Sequence, residues 1–300
     1  MRGHARLLAL GFAAMGAAVC APMGGVALAQ GASPEPRVST EPVALRVSDT
    51  GERDAAVTGD LRLPESSRER LPAVLILHGS AGIDGRGASY ARVLHDAGIA
   101  TLEIDMFQGR GRPATTRLNL PHVYGSLAFL ARHPRIDPAR IGVMGFSWGG
   151  ILALVTTSES ISQENAIERT RFAAHLGVYP VCWSHRAILA GRAYAYAPQT
   201  YARVTGRPVH LLAGDRDDYD EPEDCRRFLD ELPATVLPHF ALTVYPGATH
   251  GWDGVAGGAY HDVGARAGRG GIVDVVDDPD IASRSRAFAV EFFRRHLLVD

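Results

Sequence analysis

The chain has 300 residues, with 31 basic and 33 acidic side chains and a formal net charge of −2. That length is enough for one large buried core, and the near balance of charge excludes a basic surface for nucleic acid or anionic lipid. Lysine is absent, which excludes a Ser-Lys dyad and any Schiff-base chemistry.

The chain opens on an expected export signal. Arg2 and Arg6 precede an uncharged run over 7–28, and Ala27-Leu28-Ala29 supplies small residues for cleavage, with Gln30 as the expected mature start. Pro22 and the glycines of the run argue against an uncleaved spanning helix, and the bulky Val19 before Cys20 argues against a lipoprotein. Cleavage leaves Cys182 and Cys225 in an oxidising compartment, where two cysteines suggest one bridge; a pair of reduced buried thiols is the alternative. Without Arg2 and Arg6 the balance becomes about −4, and no membrane partner is expected of the mature chain.

Residues 30–42, rich in Ser, Pro and Glu, read as a flexible leader to one catalytic domain over 43–300. Runs at 43–47 and 57–63, joined by turn chemistry at Asp49, Thr50 and Gly51, predict an antiparallel edge. Short apolar runs at 73–77, 99–104, 141–145, 173–178, 209–213 and 241–245 then predict parallel strands buried on both faces. Helices are predicted between and after them at 89–97, 118–133, 148–156, 222–232 and 283–298, the last burying Phe288, Phe292 and Leu297. The alternation predicts an α/β fold with a mostly parallel, doubly wound sheet. Two long segments, 183–205 and 253–281, interrupt it and read as covers or excursions.

Gly145-Phe146-Ser147-Trp148-Gly149 sits between a predicted buried strand and a predicted helix. A G-x-S-x-G there forces a sharp turn that exposes the Ser147 hydroxyl at the sheet's carboxyl edge and aims the Trp148 N–H at a developing oxyanion. A serine hydroxyl needs a base and an orienting acid, in the chain order Ser, Asp, His. His250 follows the last predicted strand on a Gly-bearing loop, and Asp217 follows the strand before it, with Asp215 and Asp218 as competitors in a loop that could also be merely solvated or bind calcium. The loop His78-Gly79-Ser80-Ala81-Gly82 is expected to supply a second oxyanion donor from the Ser80 N–H, with His78 structural. Phe107, Tyr179, Trp183 and Trp252, with Trp148, are candidate pocket walls, and Arg110 or Arg112 a candidate for a substrate carboxylate.

On these residues the chain resembles the dienelactone hydrolase family, in its exported, serine-bearing branch. The resemblance covers roughly 73–298 and rests on HGSAG, IDMFQGRG, GFSWGG, GDRDDYDEPEDC and YPGATHGW. It implies an α/β-hydrolase fold and a hydrolase that needs no cofactor or metal. It favours Asp217, which opens a D-D-aromatic segment with a cysteine eight positions on, and a Cys182–Cys225 bridge. The enzymes that gave the family its name carry cysteine as nucleophile. Ser147 departs from that pattern, so the dienelactone substrate does not carry over. The expected activity is a carboxylesterase acting on a small ester or lactone, with a peptidase on the same triad or a non-catalytic binding protein as alternatives.

Overall fold

A computed structural model describes residues 37–48, 54–108, 111–254 and 257–298. The expected export segment, with Cys20 and Gln30, and the candidate Arg110 lie outside the described residues.

The main sheet is built from β1 (Val38–Ser48), β2 (Asp54–Pro64), β3 (Leu71–Leu77), β4 (Ala100–Asp105), β5 (Ile136–Phe146), β6 (Ala174–Val178), β7 (Val209–Gly214) and β8 (Phe240–Tyr245). Its order is β1-β2-β4-β3-β5-β6-β7-β8. β1 and β2 pair antiparallel, β2 pairs antiparallel with β4, and every pair from β4 to β8 is parallel. This is an α/β-hydrolase sheet with the antiparallel edge expected of the first two runs.

All seven residues of β3 are buried, and their alternation divides the core. Leu75 and Leu77 join the cluster under α2 (Leu120–Arg132) and α3 (Trp148–Val155). Val74 and Ile76 face α1 (Arg86–Asp96), through Tyr90 and Leu94, and the C-terminal helix, through Phe292 and Phe293. A period of two on a strand sends neighbours to opposite faces, so a continuous apolar run requires a helix layer on each side.

Several expectations are corrected. β1 begins inside the expected leader, with Pro42 opposite Asp60; an edge strand tolerates proline because one side of its ladder needs no donor. α4 (Glu159–Asn165) is an addition to the expected helices, although Ser158 caps it by accepting from the Ile161 N–H. The segment 183–205 holds all but the first residue of α5 (Cys182–Leu189), a helix too short to show an apolar period. α6 (Asp224–Asp230) is shorter than the predicted 222–232. Segment 253–281 is no excursion: it carries a hairpin of β9 (Gly258–Asp262) and β10 (Gly271–Val275) around the single turn α7 (Ala265–Gly268), and it leads into α8 (Pro279–Leu297). Its strands are short and largely exposed, so no hydrophobic alternation announces them.

Two fully buried histidines make the fold acid-sensitive. Burial lowers His175 on β6 to about 4 and His185 on α5 to about 3. The unfolded chain then binds more protons than the folded one below about pH 6.5, so stability is complete above that pH and is lost as pH falls toward 4. Asp220 and Asp253 act in the opposite sense: burial raises both carboxyls, and the folded state takes up their protons first. Burial lowers His95 and His210 to about 4 as well, so four histidines oppose the two carboxyls. The expected melting temperature falls between pH 7 and pH 4.5, and less steeply in His185→Phe, whose ring fits beside Phe228 and Tyr201. Midpoints that stay level in the native protein would contradict this account.

Candidate active site

β5 ends at Phe146 and α3 begins at Trp148, leaving Ser147 alone in the turn with φ 49° and ψ −109°. That strained backbone is what the G-x-S-x-G pattern demands. A Cβ at Gly145 would lie 2.1 Å from the Gly149 carbonyl oxygen, and one at Gly149 would lie 2.2 Å from that of Leu77. Neither position accepts a side chain. The Ser147 N–H donates to the Val178 carbonyl at 3.0 Å, which ties the turn to β6.

His250 lies in the turn after β8 and Asp217 in the turn after β7, so the parallel order brings both beside the end of β5. The His250 Nδ1–H donates to Asp217 Oδ2 at 2.7 Å, and the Ser147 hydroxyl donates to Nε2 at 2.8 Å. A carboxylate can only accept, so it holds the proton on Nδ1 and leaves Nε2 as an acceptor. Asp217 is itself oriented by the Tyr219 N–H, which donates to Oδ1 at 2.9 Å. All three side chains are buried. The competing carboxylates are engaged elsewhere, Asp215 by the Gly247 N–H and Asp218 by the Asp274 N–H.

Ser80 stands beside this group, since a Cβ on the preceding Gly79 would lie 3.9 Å from the Ser147 Cβ. The Gly79 carbonyl accepts from the His78 Nδ1–H at 2.7 Å and from the Gly82 N–H at 3.1 Å. Because the peptide is trans, fixing that carbonyl also fixes the Ser80 N–H in the opposite direction. His78 Nε2 accepts from the Met106 N–H, so both ring nitrogens serve the backbone and His78 is structural, as expected. The Trp148 N–H, at the first position of α3, has no acceptor within its own helix.

A second buried network supports the histidine loop. Asp253, three residues beyond His250, accepts from the Tyr179 hydroxyl at 2.6 Å and from Tyr90 at 2.8 Å. Arg86 donates to Tyr179 at 3.1 Å and is paired with Asp84. Burial pushes the Asp253 carboxyl up, and these donors pull it partly back. The Tyr179 ring stands edge-on to His250 at 4.9 Å and the Tyr219 ring lies 4.4 Å away on a tilt. Of this network, motif and spacing single out only Tyr179; a second aspartate so soon after the histidine is the available signal for the rest.

Among the aromatic candidates, Trp148 and Trp183 line a cavity that opens on Ser147. Phe107, Tyr179 and Trp252 line neither of the two cavities that meet there and are corrected to packing residues. Phe107 packs on His78, and Trp252 is wholly buried between Tyr179 and Tyr245. Their rings follow strand ends, but the chain turns them inward, where burying large apolar area is most favourable. Arg112 lies over the Trp148 ring at 5.5 Å and faces Asp262 at 3.7 Å, so its charge is already met.

Cys182 and Cys225 are disulfide-bonded, linking the starts of α5 and α6. Asp220 accepts the N–H groups of Cys182 and Trp183, and its carboxyl is pushed up by burial and then by the nearby Asp217. Cys182, Cys225 and Asp220 bring three ligand-type atoms within 4.8 Å of one another, but both sulfurs are spent in the disulfide.

Comparison with known proteins agrees with this architecture. Residues 57–268 match the model of the dienelactone hydrolase family. A putative dienelactone hydrolase from Klebsiella pneumoniae superposes with a TM-score of 0.62 at 15% identity, over 86% of this chain and 99% of that one. Esterase 2 of Thermogutta terrifontis superposes at 0.64 with 16% identity, over 87% and 96%. Protein bem46 of Schizosaccharomyces pombe is 26% identical over 170 residues, 54% of this chain and 56% of that protein, so the match spans little more than half its length. With the family match covering most of a sheet of this order, the chain belongs to the dienelactone hydrolase family of α/β-hydrolases.

Proposed function

We propose that this protein is a serine carboxylesterase, with Ser147 as nucleophile, His250 as general base and acid, and Asp217 as the residue that orients and stabilises the imidazole. The observation that carries the reading is the unbroken chain of hydrogen bonds from Asp217 through His250 to the Ser147 hydroxyl. In the reaction, Ser147 Oγ attacks the ester carbonyl while its proton passes to His250 Nε2. The N–H groups of Ser80 and Trp148 stabilise the oxyanion, each worth about 3 kcal/mol when well aimed. His250 then protonates the leaving alkoxide, and water, activated by the same imidazole, releases the acid. The disulfide and the apolar opening segment support export as part of this reading, and among the described residues no helix is long and apolar enough to cross a membrane.

Two structural neighbours are named as esterases, Thermogutta terrifontis esterase 2 and Est1E from Butyrivibrio proteoclasticus, which supports the ester reading, while a puromycin hydrolase among the neighbours keeps the amide reading as the alternative to test. The test is a panel of p-nitrophenyl esters beside matched p-nitroanilides. Esters are expected to turn over at least about a hundredfold faster, because p-nitrophenolate leaves more readily than p-nitroaniline and, among the described residues, the site holds nothing selective for an amide N–H. Preference for the anilides would replace the esterase with a peptidase.

A further inference from the structure

Two cavities meet at Ser147. One, of about 550 Å³, is walled by Trp148, Ile151, Trp183, Ile188 and Tyr196. The other, of about 590 Å³, runs past Arg86, His250, Gly251 and Tyr260. They share Ser80, Ser147 and Asp262, and His250 lines only the second.

Building on the serine esterase reading, we infer that the substrate is split between these cavities, with a bulky aromatic acyl group in the first and an uncharged, hydroxylated alcohol in the second. When Ser147 Oγ bonds to the carbonyl carbon, the oxyanion points at Ser80 and Trp148. Two substituents remain, the acyl chain and the ester oxygen with its alcohol. As the bond from carbon to that oxygen breaks, the oxygen takes the proton that His250 Nε2 received from Ser147. The alcohol must therefore leave on the side that His250 lines, and the acyl chain occupies the other. This division follows from where the proton is.

The walls then set the chemistry of each half. The acyl cavity is far larger than an acetyl group needs, and its four aromatic side chains, Trp148, Trp183, Tyr196 and Tyr219, suit a flat ring. The alcohol cavity is lined by Asp84, Arg86 and Tyr260 and shares Asp262 with the acyl cavity, and each charge is answered: Arg86 by Asp84, and Asp262 by Arg112 on the acyl cavity's wall. Such paired groups offer hydrogen bonds to hydroxyls without the net charge that would select an ion. Gly251, Gly254, Gly257 and Gly258 leave room beside them.

The experiment uses two ester series on the full protein: methyl acetate, benzoate and cinnamate, and the methyl, glyceryl and choline esters of benzoic acid. Two variants narrow one cavity each, Ala195→Phe the first and Ala259→Phe the second. Native protein is expected to prefer benzoate and cinnamate to acetate, and the glyceryl ester to the choline ester. Ala195→Phe should lower the kcat/KM ratio of benzoate to acetate at least about tenfold while changing the glyceryl-to-methyl ratio less than about threefold, and Ala259→Phe should do the reverse. Should either fail to fold, as judged by Ser147 labelling with a small fluorophosphonate, Ala193→Phe and Val275→Phe replace them. Crossed effects, no discrimination, or a preference for acetate or for choline would overturn the assignment while leaving the esterase intact. Absence of any ester turnover by labelled native protein would overturn the ester reading and this assignment together.

Discussion

Replacing Ser147 by alanine is expected to lower kcat on p-nitrophenyl acetate by roughly a millionfold, about 8 kcal/mol of lost transition-state stabilisation. The size of the effect follows from the geometry. The Ser147 hydroxyl stands 2.8 Å from His250 Nε2 with Asp217 directly behind, so the three act as a unit and removing the first removes the covalent route altogether. The cavities and the Ser80 and Trp148 N–H groups remain, and the residue of activity reports what they contribute alone. The same variant should lose all labelling by fluorophosphonate probes. Alanine is smaller than serine in a turn whose backbone is already set by Gly145 and Gly149, so folding should survive, which near-ultraviolet circular dichroism would verify. Activity above about 1% of native in such a folded variant would mean that the nucleophile lies elsewhere.

Asp217→Asn is the second large effect, expected to reduce kcat about 10⁴-fold with little change in KM. Asparagine keeps the shape but presents an N–H₂ that can donate toward His250, which favours the tautomer with its proton on Nε2 and removes the acceptor that Ser147 needs. Asp215→Asn and Asp218→Asn are the controls, since their carboxylates serve backbone N–H groups at Gly247 and Asp274. Each is expected to stay within about threefold of native, as a surface substitution with a small effect on stability would. A loss at Asp218 matching that at Asp217 would shift the orienting acid by one residue.

Much of this site is legible in the order of the residues. The elbow at Gly145 to Gly149 is a local device: steric crowding between residues four apart and a neighbouring strand dictates the glycines, and the strained serine follows from them. The buried parallel strands are equally plain, because an apolar run such as that of β3 admits few other environments. Selection among Asp215, Asp217 and Asp218 is a matter of register, which residue spacing leaves open and the family resemblance alone favours.

Residue order and type by themselves determined the class of sheet and singled out the proposed nucleophile and base, since each depends on short-range sterics and on the order in which parallel strands end. Tertiary structure decided the rest. Only the fold turns Phe107, Tyr179 and Trp252 inward, closes Asp253 between Tyr90 and Tyr179, and brings the β9–β10 hairpin beside Ser147 so that Asp262 touches both cavities. Those relations join residues up to 163 positions apart, and a contact across that separation leaves no period or motif in the chain because many pairings of the same side chains would satisfy the same local rules.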